Sequence, residues 1–125
     1  MTITLATLHE ATAQQVFDQV AKHLLTQRRK SLAALSNPDL SGCAYRGDGN
    51  LKCAAGCLIS DDEYDSDFEG EYWGGLVKLR KVPESHKALI DKLQAIHDER
   101  DAGDWPIALK ELANKLELSL SPAYV

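Results

Sequence analysis

Three cysteines offer the most reactive chemistry in this chain, and their spacing is Cys43-x9-Cys53-x3-Cys57. Zinc knuckles rely on Cys-x2-Cys pairs, because the tight turn brings both sulfurs to one ion, and this spacing does not reproduce them. A shared metal would need Cys43 and Cys53 opposite each other on a hairpin, Cys57 folded back and a histidine as fourth ligand. A two- or four-residue turn puts Cys43 and Cys53 on opposite faces of the ribbon, whereas a three-residue turn lets them meet. A nucleophilic thiol would need a base in reach and an electropositive pocket. Arg46 and Lys52 are close in sequence, and His23 could approach from an earlier helix. Set against both is the ordinary fate of a free cysteine, which is to be buried and inert.

The carboxylates are the second constellation. Residues 61–75 hold seven Asp/Glu and no Lys/Arg, in a chain whose total charge is −5. Residues 1–60 carry +2 and residues 76–125 carry zero, so the acidity is local. Asp65-x-Asp67-x-Glu69-Gly70 copies the opening of a calcium loop, but its twelfth position is Leu76, where a bidentate Glu is required. The remaining readings are a solvated surface run or a face that meets a partner. No basic stripe offsets the repulsion from phosphates, so direct nucleic-acid binding is not expected. Among the histidines, His86 and His97 stand eleven residues apart, about 16 Å along a helix, too far to share an ion. They and His23 read as boundary residues bonded to backbone carbonyls.

These residues need elements to hold them. Thr7–Glu10 and Thr12–Gln15 both have capping-box form, and a helix starts at one of them. Ala13, Val16, Phe17, Val20, Ala21 and Leu24 give it one apolar stripe, and Arg28-Arg29-Lys30 suit its carbonyl end. Ser36-Asn37-Pro38-Asp39 is a turn cluster, so Ser31–Leu35 is at most a short helical extension. Gly47-Asp48-Gly49-Asn50, between Cys43–Arg46 and Leu51–Ala54, reads as a two-stranded β-hairpin. Ala55–Ile59 is small, apolar and suited to burial.

Tyr64, Phe68, Tyr72 and Trp73 interrupt the acidic run and are expected to pin it to the core. Gly74-Gly75 weakens a short helix at Leu76–Leu79. Pro83 suits the first turn of a further helix that runs to about Arg100 on a stripe of Leu89, Ile90, Leu93, Ile96 and His97. Asp101-Ala102-Gly103 ends it. Asp104 then caps a last helix with Pro106 in its first turn and Trp105, Leu109, Leu112, Ala113 and Leu116 on one face. The apolar tail from Leu118 drapes over the surface or meets a partner. The expected fold is α+β and predominantly helical, one globular domain over 1–125 with three main helices and a short β-hairpin. Ordinary globular composition, no apolar run near 20 residues and no signal-peptide pattern point to a cytoplasmic protein without a membrane partner.

The stretch Cys43-Ala44-Tyr45-Arg46 to Leu51-Lys52-Cys53-Ala54-Ala55-Gly56-Cys57-Leu58-Ile59 resembles a motif of small uncharacterised bacterial and phage proteins. The resemblance extends over about 90 residues, from Val16-Phe17-Asp18 and His23-Leu24-Leu25 through Glu69-Gly70 to Leu93-Gln94-x-Ile96-His97-Asp98 and Trp105. It implies a bacterial or phage setting and no particular chemistry. It also implies that Tyr45, Arg46, Lys52 and Cys53 form one unit, with Arg46 and Lys52 facing an anionic partner or the chain's own acidic run. The leading expectation is a non-enzymatic interaction module, a phage or prophage accessory protein that inhibits a host defence complex. Its partner-binding residues would be Asp61, Asp62, Glu63, Asp65, Asp67, Glu69, Arg46 and Lys52, with no cofactor or metal. The alternative is a small zinc-site protein or cysteine-dependent enzyme built on Cys43, Cys53 and Cys57.

Overall fold

The structure, a computed structural model, describes residues 2–31 and 44–120. Four α-helices appear in it: α1 (Ala13–Gln27), α2 (Trp73–Lys78), α3 (Lys87–Glu99) and α4 (Trp105–Lys115). Five short 3-10 turns at Leu8–Glu10, Asp48–Asn50, Ala55–Leu58, Ser66–Phe68 and Ala102–Asp104 link or flank them.

The second capping box starts α1. The Thr12 side chain accepts from the Gln15 N–H, and the Gln15 side chain accepts in return from the Thr12 N–H. The first box forms only a 3-10 turn. Val16, Phe17, Val20, Ala21, Leu24 and Leu25 bury one face of α1, which packs against α3, α4 and the 3-10 turn Ala55–Leu58. Arg28 ends the helix in the left-handed conformation, φ 53°. Ala13, expected on the stripe, is exposed.

The helix expected from Pro83 begins four residues later, at Lys87. His86 is its N-cap with φ 61°, a left-handed conformation that interrupts any helix running through it, and its Nε2–H donates to the Ala11 carbonyl at 2.7 Å. At the other end of α3, the Trp105 indole N–H is shared between the carbonyls of Ile96 and Arg100, at 3.1 and 3.2 Å. One fully buried side chain thereby supplies a donor to the Arg100 carbonyl at the C-cap and a second one to Ile96, which already accepts from the Arg100 N–H. Asp104 stands at the N-cap of α4 but makes no side-chain capping bond. Beyond α4, the Gln14 amide exchanges two hydrogen bonds with the Ser119 backbone and ties the start of the tail to α1. Positions 121–125 of that tail lie outside the described residues.

The β-hairpin does not form, and the fold is helical rather than α+β: there is no strand among the described residues. The groups a ladder would pair have other partners. Tyr45 and Arg46 donate their backbone N–H groups to the Glu69 carboxylate at 2.9 and 3.1 Å. The Lys52 N–H donates to the Gln27 side chain, and the Lys52 carbonyl accepts from both Gln27 and His23. The Ser31 hydroxyl donates to the carbonyls of Ala44 and Leu51 at 2.7 and 3.1 Å. At the turn itself the Gly47 N–H donates to the Leu51 carbonyl at 2.8 Å. This bond closes a 3-10 turn in which Gly49 and Asn50 are both left-handed.

Ser31, expected at most in a helical extension, is instead fully buried, and its N–H donates to His97 Nε2 at 2.9 Å. That bond requires an unprotonated Nε2, so the His97 Nδ1–H donates to Asp98 at 2.9 Å. His97 is therefore a core residue, stacked on Trp105 at 5.5 Å, and not a boundary one. The Asp98–His97–Ser31 row resembles a hydrolase triad only in its residue types: Ser31 Oγ is sealed from solvent and committed to two carbonyls.

Candidate functional site

The acidic segment follows the 3-10 turn Ala55–Leu58 and divides into inward and outward carboxylates. Glu63 turns in: its two oxygens accept from the backbone N–H groups of Leu5, Ala6 and Ser60, each at 2.9–3.0 Å. Burial alone would raise the Glu63 pKa, but these donors outweigh it and hold the carboxyl below its ordinary value. Glu69 also turns in, taking the Tyr45 and Arg46 N–H groups and the Tyr64 hydroxyl, the last at 2.6 Å. Burial and this bond to a carboxylate push the Tyr64 phenol up. Phe68 is buried and meets Tyr45 and Tyr64 edge-on, at 6.5 and 6.2 Å. Trp73 is buried as well. Tyr72, expected to help pin the segment, is 86% exposed.

Asp61, Asp62, Asp65, Asp67 and Glu71 face solvent. Asp65 accepts from the Asp67 N–H and so caps the turn Ser66–Phe68. The calcium-loop likeness fails on this geometry, because Glu69 points away from Asp65 and Asp67 into the backbone of Tyr45 and Arg46. No three His, Cys, Asp or Glu side chains converge as metal ligands among the described residues.

Arg46 ties several backbone segments together. Its Nη1 donates to the carbonyls of Tyr45 and Gly56 at 3.1 and 2.9 Å, and its Nη2 to Ile59 at 2.6 Å. Nη2 also pairs with Asp61 at 3.2 Å, and the guanidinium lies 4.9 Å from the centre of the Tyr64 ring. Only 16% of the Arg46 side chain is exposed. Lys52 Nζ stands 3.9 Å from the same Asp61 oxygen. Both cations thus border the chain's own acidic segment.

Cys53 is buried, and its sulfur accepts from the Gly56 N–H at 3.3 Å. The Cys57 thiol donates to the Ala54 carbonyl, and burial pushes its pKa far up, so it is a thiol at neutral pH. Both are free thiols, and Cys43 lies outside the described residues.

A groove of about 840 Å³ runs along the flank of α1, and the sequence reading did not find it. Gln15, Gln19, His23 and Gln27 recur along it at four-residue steps. That polar stripe beside the apolar one was the available signal. Among the described residues no helix is long and apolar enough to cross a membrane. Comparison of the chain with protein-family models, curated proteins and solved structures returned no match.

The inward carboxylates give a direct stability test. Glu63→Gln is expected to lower stability at neutral pH by about 1 kcal/mol, a modest figure because the group is partly open to solvent. A carboxyl whose folded pKa is depressed contributes fully above its unfolded value, near 4.5, and loses that contribution as pH falls through the folded value. Urea unfolding at pH 7 and in mild acid should therefore show a smaller acid loss for the variant than for the parent. Equal losses would remove Glu63 from the account.

Proposed function

We propose that this chain is a non-enzymatic protein-interaction module whose acidic face engages a basic surface on another protein. The observation that carries this reading is the division of labour in the segment. Glu63 and Glu69, with Phe68 and Trp73, hold the backbone down, while Asp61, Asp62, Asp65, Asp67 and Glu71 project outward. A charged loop already fixed in place loses little freedom on binding, and a dense single-sign patch steers an oppositely charged partner into contact. Arg46 and Lys52 support the face from behind by partly compensating Asp61. The partner-facing set is therefore Asp62, Asp65, Asp67 and Glu71, with Asp61 at its edge. The likeness of residues 43–59 to small phage and bacterial proteins suggests a cytoplasmic host protein or complex as the partner, with inhibition as the outcome.

The test is affinity capture from host lysate with the parent chain, then titration of the purified partner against a variant carrying Asp61, Asp62, Asp65 and Asp67→Lys. Glu63 and Glu69 stay unchanged because they hold the fold. Four lost or reversed contacts should cost about 3 kcal/mol, roughly a hundredfold in Kd, and the parent's affinity should fall with added salt. A folded variant that binds with undiminished affinity would refute the acidic-face reading.

A further inference from the structure

The groove along α1 meets the outward acidic side chains at Lys52, which pairs with Asp61, and none of the other outward carboxylates lines it. Several of its polar groups are already committed. Gln19 binds the Ile3 backbone and the Cys57 carbonyl, and Gln27 binds the Lys52 backbone. Others are not. Lys22 and Thr26 make no side-chain hydrogen bond or ion pair among the described residues. His23 uses only Nε2, which donates to the Lys52 carbonyl at 2.8 Å. Burial is the largest influence on His23, with the Lys52 charge adding to it, and together they hold its pKa below the ordinary value against the carbonyl bond. The ring is then neutral at pH 7, and Nδ1 is an acceptor. Lys52 also lines the groove, with its Nζ 3.9 Å from the Asp61 carboxylate. This side of the groove thus carries Lys22 and Lys52 beside a neutral imidazole acceptor and Cys57, and the carboxylate that borders it is Asp61. Asp18 lines the continuation of the groove one helical turn from Lys22, about 6 Å along the axis, Gln15 two turns away, about 10 Å, and Glu10 lies beyond them.

We propose that this groove binds a small phosphorylated polyol such as a sugar phosphate. Lys22 and Lys52 would take the phosphate as point charges, as lysines commonly do. His23 Nδ1 would accept from a hydroxyl or from the proton of a phosphate monoanion. Asp18, whose Oδ1 already accepts from Gln14, would take a sugar hydroxyl through Oδ2, and Gln15, whose Oε1 is held in the α1 cap, would offer its amide N–H to another. The 6 Å step from Lys22 to Asp18 suits one pentose or hexose unit. Among the described residues no Phe, Tyr or Trp lines the groove, so a nucleobase finds no stacking platform there and a nucleotide is the poorer fit. The volume falls in the range of small-molecule sites.

Titration calorimetry of the full chain with ribose 5-phosphate and glucose 6-phosphate, beside free ribose and inorganic phosphate, tests the assignment. At least one sugar phosphate should bind saturably, one per chain, at least about tenfold more tightly than ribose or phosphate alone. Lys22→Glu, at an exposed position, should weaken that binding at least about tenfold with the melting temperature unchanged. The His23 imidazole nitrogen resonances should move on binding while those of the buried His97 stay. Absence of saturable binding by both sugar phosphates, phosphate alone binding equally well, or an indifferent Lys22→Glu variant would each overturn the assignment. Reversing Asp62, Asp65 and Asp67 should leave sugar-phosphate binding intact, which separates this site from the acidic face.

Discussion

Replacing Arg46 with leucine should cost the fold about 4 kcal/mol, a large share of the roughly 5–15 kcal/mol that holds a domain of this size together. The side chain bonds three backbone carbonyls, those of Tyr45, Gly56 and Ile59, from segments that no strand pairing joins. Leucine keeps some of the volume and none of the donors. The Tyr45 and Ile59 carbonyls would lose their guanidinium donors in a mostly buried setting, each loss worth about 1–3 kcal/mol before relaxation, whereas the Gly56 carbonyl keeps the Ile59 N–H. The stacking on Tyr64 and the pairing with Asp61 would be lost as well. Urea unfolding followed by tryptophan fluorescence should show the midpoint fall by roughly 2 M. The fluorescence reports on the core because Trp73 and Trp105 are both buried. Arg46→Lys should recover less than half of the loss, since one compact ammonium cannot span carbonyls on opposite sides of a planar fork. A loss below about 1 kcal/mol in the leucine variant would show that solvent or neighbours replace the guanidinium.

This role explains why Arg46 was hard to read from sequence. An arginine beside a Gly-Asp-Gly turn looks like a surface charge waiting for an anion, and a local hairpin looks like the natural use of that turn. The competing partners are remote: Glu69 lies 24 residues from Tyr45, Gln27 lies 25 from Lys52, and His97 lies 66 from Ser31. Local turn propensity cannot register bonds of that range, and here they outcompete strand pairing for the same N–H and C=O groups. The parts of the fold that did follow from local pattern are those with a strong 3.6-residue period. Most residues of the stripes expected for α1, α3 and α4 are buried, the exceptions being exposed Ala13 and half-buried Ile96 and Leu116. Boundaries set by backbone conformation, such as left-handed His86, did not follow from local pattern.

The acidic run shows the same limit at the candidate site. Composition identifies seven carboxylates in one segment but treats them alike. The fold separates them by what lies opposite: backbone N–H groups of the N-terminal segment donate to Glu63 and those of Tyr45 and Arg46 to Glu69, whereas Asp62 and Asp67 are exposed. The α1 groove was hidden for a related reason. Its helical side is legible as a polar stripe, but its other wall comes from the N-terminal segment, Lys52 and Cys57.

Gly56→Ala should be nearly as damaging as the loss of Arg46, although it adds a single methyl group. A Cβ at Gly56 would sit 2.5 Å from the Tyr45 carbonyl oxygen and 3.2 Å from the Tyr45 carbonyl carbon and Cα. These are backbone atoms and cannot rotate aside, so the turn Ala55–Leu58 must move away from Tyr45. Arg46 Nη1 holds the Tyr45 and Gly56 carbonyls together, and that movement pulls its two acceptors apart. Overpacking of this kind is expected to cost about 3 kcal/mol. Gly103→Ala is the control: its Cβ would meet nothing within 4 Å, and the change should be neutral within about 0.5 kcal/mol. If Gly56 and Arg46 serve one contact between the same two backbone segments, their effects cannot add. The double variant Arg46→Leu/Gly56→Ala should be at least about 1 kcal/mol less destabilised than the sum of the single changes. Strict additivity would mean that the close approach of Gly56 to Tyr45 and the guanidinium clamp are independent features of the fold.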